Sequence, residues 1–182
     1  MSDFGFNQKA SAVLERPRSL ENGLKPKGFF TLEVIRDGKT IHKETAPNGV
    51  VDEGKDAILD SFFRNQSQPA LWYLGLIDLA SYSALADADT MASHAGWIEA
   101  TGYSEGTRPT WVTVAAASQS ITNSVAATFT SSGSATLKGI FCVSDATKSG
   151  AIGTLWATAL FSGDIPIANL DVLKITYTVN AT

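Results

Sequence analysis

The chain has 182 residues, of which 44% are apolar and 18% charged, with a net charge of −4 and a sequence pI near 5.1. That length suits one domain with appendages, and the apolar share supports a packed core, which excludes a globally disordered chain. An acidic balance argues against sequence-independent nucleic-acid binding, which needs clustered Lys and Arg, and a charged share below the usual ~25% fits a surface largely covered by neighbours.

Cys142 is the only cysteine, so no intrachain disulfide can form and the fold is expected not to need an oxidising compartment. The N-terminus lacks a basic-then-apolar signal pattern, and no apolar run reaches the ~18 residues of a membrane span. The protein is expected to be soluble, made in a cytoplasm, and free of direct membrane or nucleic-acid contacts.

Residues 1–27 read as an extended, irregular N-terminal arm. Pro17 and Pro26 break any helix. Lys9, Arg16, Arg18, Lys25 and Lys27 outnumber Asp3, Glu15 and Glu21, whereas the rest of the chain is acidic. Phe4, Phe6, Val13, Leu14 and Leu20 are scattered apolar groups. The arm reads as a solvated tail, as a tail folded back on its own body, or as an anchor in a neighbour's groove. On the last reading, Phe4, Phe6, Arg16, Arg18, Lys25 and Lys27 are the candidate partner-binding residues.

Residues 28–182 read as one β-sandwich domain. Phe29 to Arg36 alternates as a strand, and Asp37-Gly38 is the two-residue signal of a type I′ hairpin. Lys39 to Ala46 returns as a polar strand. Asn48-Gly49 predicts a turn. Asp52 is placed to cap a helix running to about Arg64, with Glu53 and Asp56 in its first turn, where the helix dipole favours anions. Ala57, Ile58, Leu59, Phe62 and Phe63 recur at helical spacing and predict one apolar face packed on the sheet.

Leu71 to Ile77 predicts the next strand. A long connection, Asp78 to about Pro109, follows, with a short helical turn around Asp87 to His94. Trp97, Ile98 and Tyr103 predict that it is clasped onto the domain, since a free loop of this length is uncommon. The remainder reads as β: Thr110–Ala115, Ser118–Ile121, Val125–Thr130, Ala135–Val143, Thr154–Phe161 and Asp171–Val179. Turn-formers separate them, including Ser162-Gly163-Asp164. Val172, Ile175, Tyr177 and Val179 do not share one parity, which predicts a bulge near Leu173-Lys174 or a two-sided strand. Short strands at this spacing indicate a sandwich or barrel.

Groups for chemistry are sparse. From Leu71 to Phe161 the only bases are Arg108, Lys138 and Lys148, with one His and one Cys. Asp87 and Asp89 lack the calcium-loop pattern, and Asp89 fits a cap for the turn at Thr90-Met91-Ala92 better than a ligand. His94 and Glu99 lie five apart without a nucleophile signature; a bond from His94 to the backbone, holding the loop, is the preferred reading. Cys142 lies in a strand, where a small buried thiol is the default. Trp72, Trp97, Trp111 and Trp156 suit core or interface anchors, or else a carbohydrate platform. Neither Gly-rich phosphate-loop pattern occurs. No catalytic, cofactor-binding or metal-ligating set is assigned, and the expectation is a protein that is not an enzyme.

Several of these segments occur in a familiar order. Asn48-Gly49-Val50-Val51 precedes the amphipathic helix. Trp72-Tyr73-Leu74-Gly75-Leu76-Ile77-Asp78 leads to Ala88-Asp89-Thr90-Met91-Ala92-Ser93-His94-Ala95-Gly96-Trp97-Ile98-Glu99. Tyr103, Thr107-Arg108-Pro109-Thr110-Trp111, Lys138-Gly139-Ile140-Phe141 and Gly153-Thr154-Leu155-Trp156 complete it. From about Phe29 to Val179 the chain resembles a family of small virion structural proteins of tailed bacteriophages, some of them similar to capsid cement, or decoration, proteins. The resemblance carries no catalytic residues, and the arm matches no part of it.

The combined expectation is an all-β, jelly-roll-like sandwich with one packed amphipathic helix and an extended arm. It would act as a cement protein on the capsid exterior, bound to the major capsid protein and associated as a trimer or dimer. A tail, neck or baseplate component is the alternative within the virion. A host-surface carbohydrate-binding module is the alternative from another class.

Overall fold

A computed structural model describes residues 26–181, and its first hairpin follows from alternation. Phe30, Leu32 and Val34 are buried along strand β1 (Pro26–Arg36), with more exposed residues between them. Asp37 and Gly38 take φ of 51° and 74°, the paired left-handed conformations of a type I′ turn, and return the chain into β2 (Lys39–Val50). β1 starts earlier than the sequence suggests. Pro26 and Lys27, assigned to the arm, lie opposite Ala181 and Asn180 and belong to the sheet.

Helix α1 spans Asp52–Phe63. The remaining strands are β3 (Tyr73–Asp78), β4 (Glu99–Ala100), β5 (Ser120–Thr122), β6 (Ala127–Thr130), β7 (Ala135–Val143), β8 (Leu155–Ile167) and β9 (Val172–Ala181). They run β4-β3-β7-β8-β2-β1-β9-β5, with β6 also on β9, and every pairing is antiparallel. β2 joins the two halves of the sandwich. Ala46, Pro47 and Asn48 pair with β1, whereas Gly49 and Val50 pair with Thr158 and Ala157 of β8. The turn expected at Asn48-Gly49 is therefore a strand changing sheets; the second sheet supplies hydrogen-bond partners that a local reading cannot see.

Other boundaries move for the same reason. β8 runs through Ser162-Gly163-Asp164, the expected turn, because Ala135, Thr136 and Leu137 of β7 pair with Ile167, Pro166 and Ile165. Glu44 accepts hydrogen bonds from the Ser162 N–H and Oγ, and Lys138 Nζ reaches Asp164 at 2.8 Å. Thr110–Ala115 is not a continuous strand; its backbone pairs through isolated bridges, Tyr73 to Thr110 and Thr113 to Asn123. Residues 87–94 form turns with a Thr90–Ser93 bridge instead of a helical turn. β9 has no bulge. Leu173, Ile175 and Tyr177 are buried in unbroken register with β1, and Val172 lies on the other parity.

The fold is thus the expected all-β sandwich. Phe30, Leu32, Leu74, Ile140 and Ile175 pack between the sheets. A second apolar cluster covers the outer face of β3 and β7, where Trp97 and Met91 from the 78–109 connection pack on Ile77, Phe141 and Val143. This second layer explains why Ile140, Phe141, Cys142 and Val143 are all buried: the strand is covered on both faces. Gly75 lies opposite Phe141, and any side chain there would strike the Phe141 ring.

Candidate functional site

The long connection is clasped by polar groups inside the fold. Arg108 is buried, and its guanidinium meets both Glu99 carboxylate oxygens at 3.0 and 2.8 Å. It also donates to the carbonyls of Asp145 and Gly150 and lies 5.3 Å from the Phe141 ring centre. The Ser149 N–H donates to the same Glu99 carboxylate. Lys148 adds a hydrogen bond to the Tyr103 carbonyl and sits 3.7 Å from its ring centre. The buried carboxylate is therefore paired and hydrogen-bonded, which such burial requires. Of the expected anchors, Trp97 and Tyr103 are buried, whereas Ile98 is exposed.

His94 and Glu99 do not work as a pair. His94 Nδ1 donates to the Trp97 carbonyl at 3.0 Å, and its ring stacks on Trp97, so the expected backbone bond is present. Asp89 does not cap the next turn. Its carboxylate accepts from the Ala86 N–H and from Trp97 Nε1, both at 2.9 Å, while Thr90 Oγ1 accepts from the Ser93 N–H. An indole N–H buried beside the carboxylate outcompetes the local turn. Among the described residues, no group of three or more His, Cys, Asp or Glu is arranged to hold a metal ion. Cys142 is fully buried, and burial pushes its thiol well above the ordinary range, which keeps it neutral.

The surface features that stand apart lie around α1. Asp52 is the first helical residue and makes no cap; the preceding Val51 is extended, and Asp52 pairs with Lys55 at 2.9 Å. The helix meets the sheet through its first turn. A Cβ on Gly54 would lie 2.5 Å from the Trp156 carbonyl oxygen, so glycine permits this approach. The Glu53 carboxylate accepts from the Leu155 N–H at 2.7 Å. Of the predicted apolar face, Ile58 packs on the core, but Leu59, Phe62 and Phe63 are 52%, 78% and 75% exposed. The expected packing of that whole face is thus corrected: a glycine and a carboxylate dock the helix, and its last turn faces outward. The Phe62 and Phe63 rings meet edge to face, 5.0 Å apart.

Beside this turn, a groove of about 400 Å³ opens between α1 and the ends of β5 and β9. Ile58 and Phe62 form one wall, and Ile121 and Val179 the other. Trp72, Trp111 and Trp156 also line it. Trp111 Nε1 donates to Asn123 Oδ1 and Trp156 Nε1 to the Tyr177 hydroxyl, so the rings present apolar surface. Trp97 belongs to the other cluster. None of the four tryptophans is an exposed flat platform.

Of the candidate partner-binding residues, Phe4, Phe6, Arg16, Arg18 and Lys25 lie outside the described residues. Lys27 is exposed on β1. The Arg108–Glu99 clasp has one signal in the sequence: an Arg and a Glu inside an otherwise weakly charged, apolar stretch. The groove has none, since its lining comes from six separate parts of the chain. No protein-family model matches this chain, and no curated protein matches it in sequence. Among the described residues, no helix is long and apolar enough to cross a membrane.

Proposed function

We propose that the chain is a virion structural protein of a tailed bacteriophage, a non-catalytic cement protein that binds the major capsid protein on the shell exterior. The observation that supports this most is the outward apolar turn of α1, where Phe62 and Phe63 are 78% and 75% exposed on a helix whose attachment is glycine-mediated. Exposed, clustered aromatics mark association surfaces. The order of the motifs from Asn48 to Trp156 supports the virion assignment, and the buried clasp supports a rigid body able to bear load.

In this reading the outward turn of α1 seats in a hydrophobic recess of the capsid lattice, and copies associate as trimers or dimers on local symmetry axes. Many modest contacts repeated by symmetry then resist the outward pressure of packaged DNA. The test is addition of the purified protein to capsids lacking it, with occupancy counted by imaging at chain-tracing resolution. Full-length protein should decorate the shell in hundreds of copies, and a Phe62→Ser/Phe63→Ser variant should lose most of that occupancy. Density confined to the tail, neck or baseplate would overturn the capsid assignment.

A further inference from the structure

We infer that Leu170 of one copy of this chain seats in the apolar groove of a second copy. This rests on the self-association named above and supplies its contact; it does not depend on the capsid assignment.

Leu170 is disfavoured where it stands. It is the third residue of a turn in which the Asp171 N–H donates to the Ala168 carbonyl, and its φ is 68°. With a positive φ, that place in a turn favours glycine or asparagine. A leucine there carries left-handed strain. It is also 72% exposed, so packing within its own domain does little to offset the strain. The turn is nonetheless firmly held. The Leu170 N–H donates to the Ser131 carbonyl at 2.9 Å and the Ala168 N–H to Asp171 Oδ2 at 2.7 Å, while Arg36 bonds both Asp171 carboxylate oxygens. An apolar side chain fixed outward on a rigid, strained turn is a preorganised anchor. Ile41, Pro166 and Ala168 line a cleft beside the turn and extend its apolar surface.

The groove has the matching chemistry at the far end of the same sheet. Its walls are aromatic and aliphatic, and Trp111 Nε1 and Trp156 Nε1 bond inward, so a leucine side chain satisfies it without a hydrogen bond. Val172 follows the Leu170 turn, and Val179, a groove wall, lies near the other end of β9. At ~3.3 Å per residue the two are about 23 Å apart. Leu170 therefore cannot enter its own groove, and a second copy must supply it. Phe63 does not line the groove and stays free for the capsid contact.

Sedimentation of the full-length protein over a range of concentrations tests this. The parent should self-associate. Leu170→Gly should weaken association by at least about tenfold, the effect expected from losing one buried leucine. It should melt no lower than the parent, because glycine relieves the turn. Ser61→Arg, in the groove lining, should weaken association to a similar extent. Mixed in equal amounts, the two variants should form a heterodimer more tightly than either associates with itself. Ser61→Arg keeps its Leu170, and Leu170→Gly keeps its groove. A parent that stays monomeric at every concentration, or a mixture no better associated than its components, would overturn the inference. So would a Leu170→Gly protein that melts lower than the parent, since Leu170 would then pack within its own domain.

Discussion

The 78–109 connection and helix α1 reverse the usual relation between regularity and burial. The connection has almost no regular structure, yet it covers one face of the sheet, and its charged groups Arg108, Glu99 and Asp89 sit buried with their partners. α1 carries apolar residues at helical spacing, yet its largest side chains stand in solvent. Order in the first region comes from buried, satisfied polar groups. In the second, apolar residues are left over after a glycine and a carboxylate have docked the helix. Periodicity shows that a helix can form; what it packs against depends on what lies opposite.

The comparison breaks most readily at the clasp. Arg108→Met leaves the Glu99 carboxylate buried and unpaired, and should lower unfolding stability by about 3–5 kcal/mol in denaturant titration. A companion Glu99→Leu/Arg108→Met variant should recover much of that loss, because a buried pair adds little over apolar packing. If the single variant costs under about 1 kcal/mol, the polar groups do not hold the connection. Phe141→Ala should cost a similar ~3–5 kcal/mol, since that ring packs beneath the connection and against Gly75. An unchanged thermal melt would contradict its place in the core.

Helix docking is the next test. Gly54→Ala places a methyl group 2.5 Å from the Trp156 carbonyl oxygen and should cost about 1–3 kcal/mol, although alanine is the better helix former. A stabilised Gly54→Ala protein would mean that the helix is not held at its first turn.

Asp171 gives a smaller effect with a defined sign. Its bidentate hydrogen bonds from Arg36 hold its carboxyl below the ordinary carboxylate value. The stability it contributes is present above that ordinary value, ~3.9, and is lost as pH falls through the lowered folded-state value. Arg36 is partly exposed, so solvent screens the pair and the contribution is modest. Denaturant titrations below about pH 4 should show a shallower acid loss in Asp171→Asn than in the parent. Identical acid limbs would exclude the linkage.

The smallest stability change belongs to the outward turn. Phe62→Ser/Phe63→Ser should alter unfolding stability by no more than about 0.5 kcal/mol per site, as at other exposed positions. A larger loss would show that these rings pack on the domain, and would remove them as a docking surface.

Much of the fold is legible in the sequence. Period-two alternation and the Asp37-Gly38 turn define the first hairpin, because both act over a few residues. The Ala135–Val143 strand is readable end to end, since β-branched, aromatic and aliphatic residues fill it between turn-formers. The helix is placed to within a residue at its C-terminal end. Cys142 in an apolar strand and the His94 backbone bond also follow from local context.

Tertiary structure decided the rest, because the deciding partners are distant in sequence. β2 continues through Asn48-Gly49 because β8 lies alongside it, and β8 continues through Ser162-Gly163-Asp164 because β7 does. Asp89 serves Trp97 instead of its own turn, and Glu99 serves Arg108 instead of His94. Gly54, a residue that by propensity alone weakens a helix, is where the helix meets the sheet. Side-chain type and spacing determine which local conformations are cheap; which of them survive, and which apolar groups stay exposed, is set by the groups that long-range pairing brings within hydrogen-bond and van der Waals distance.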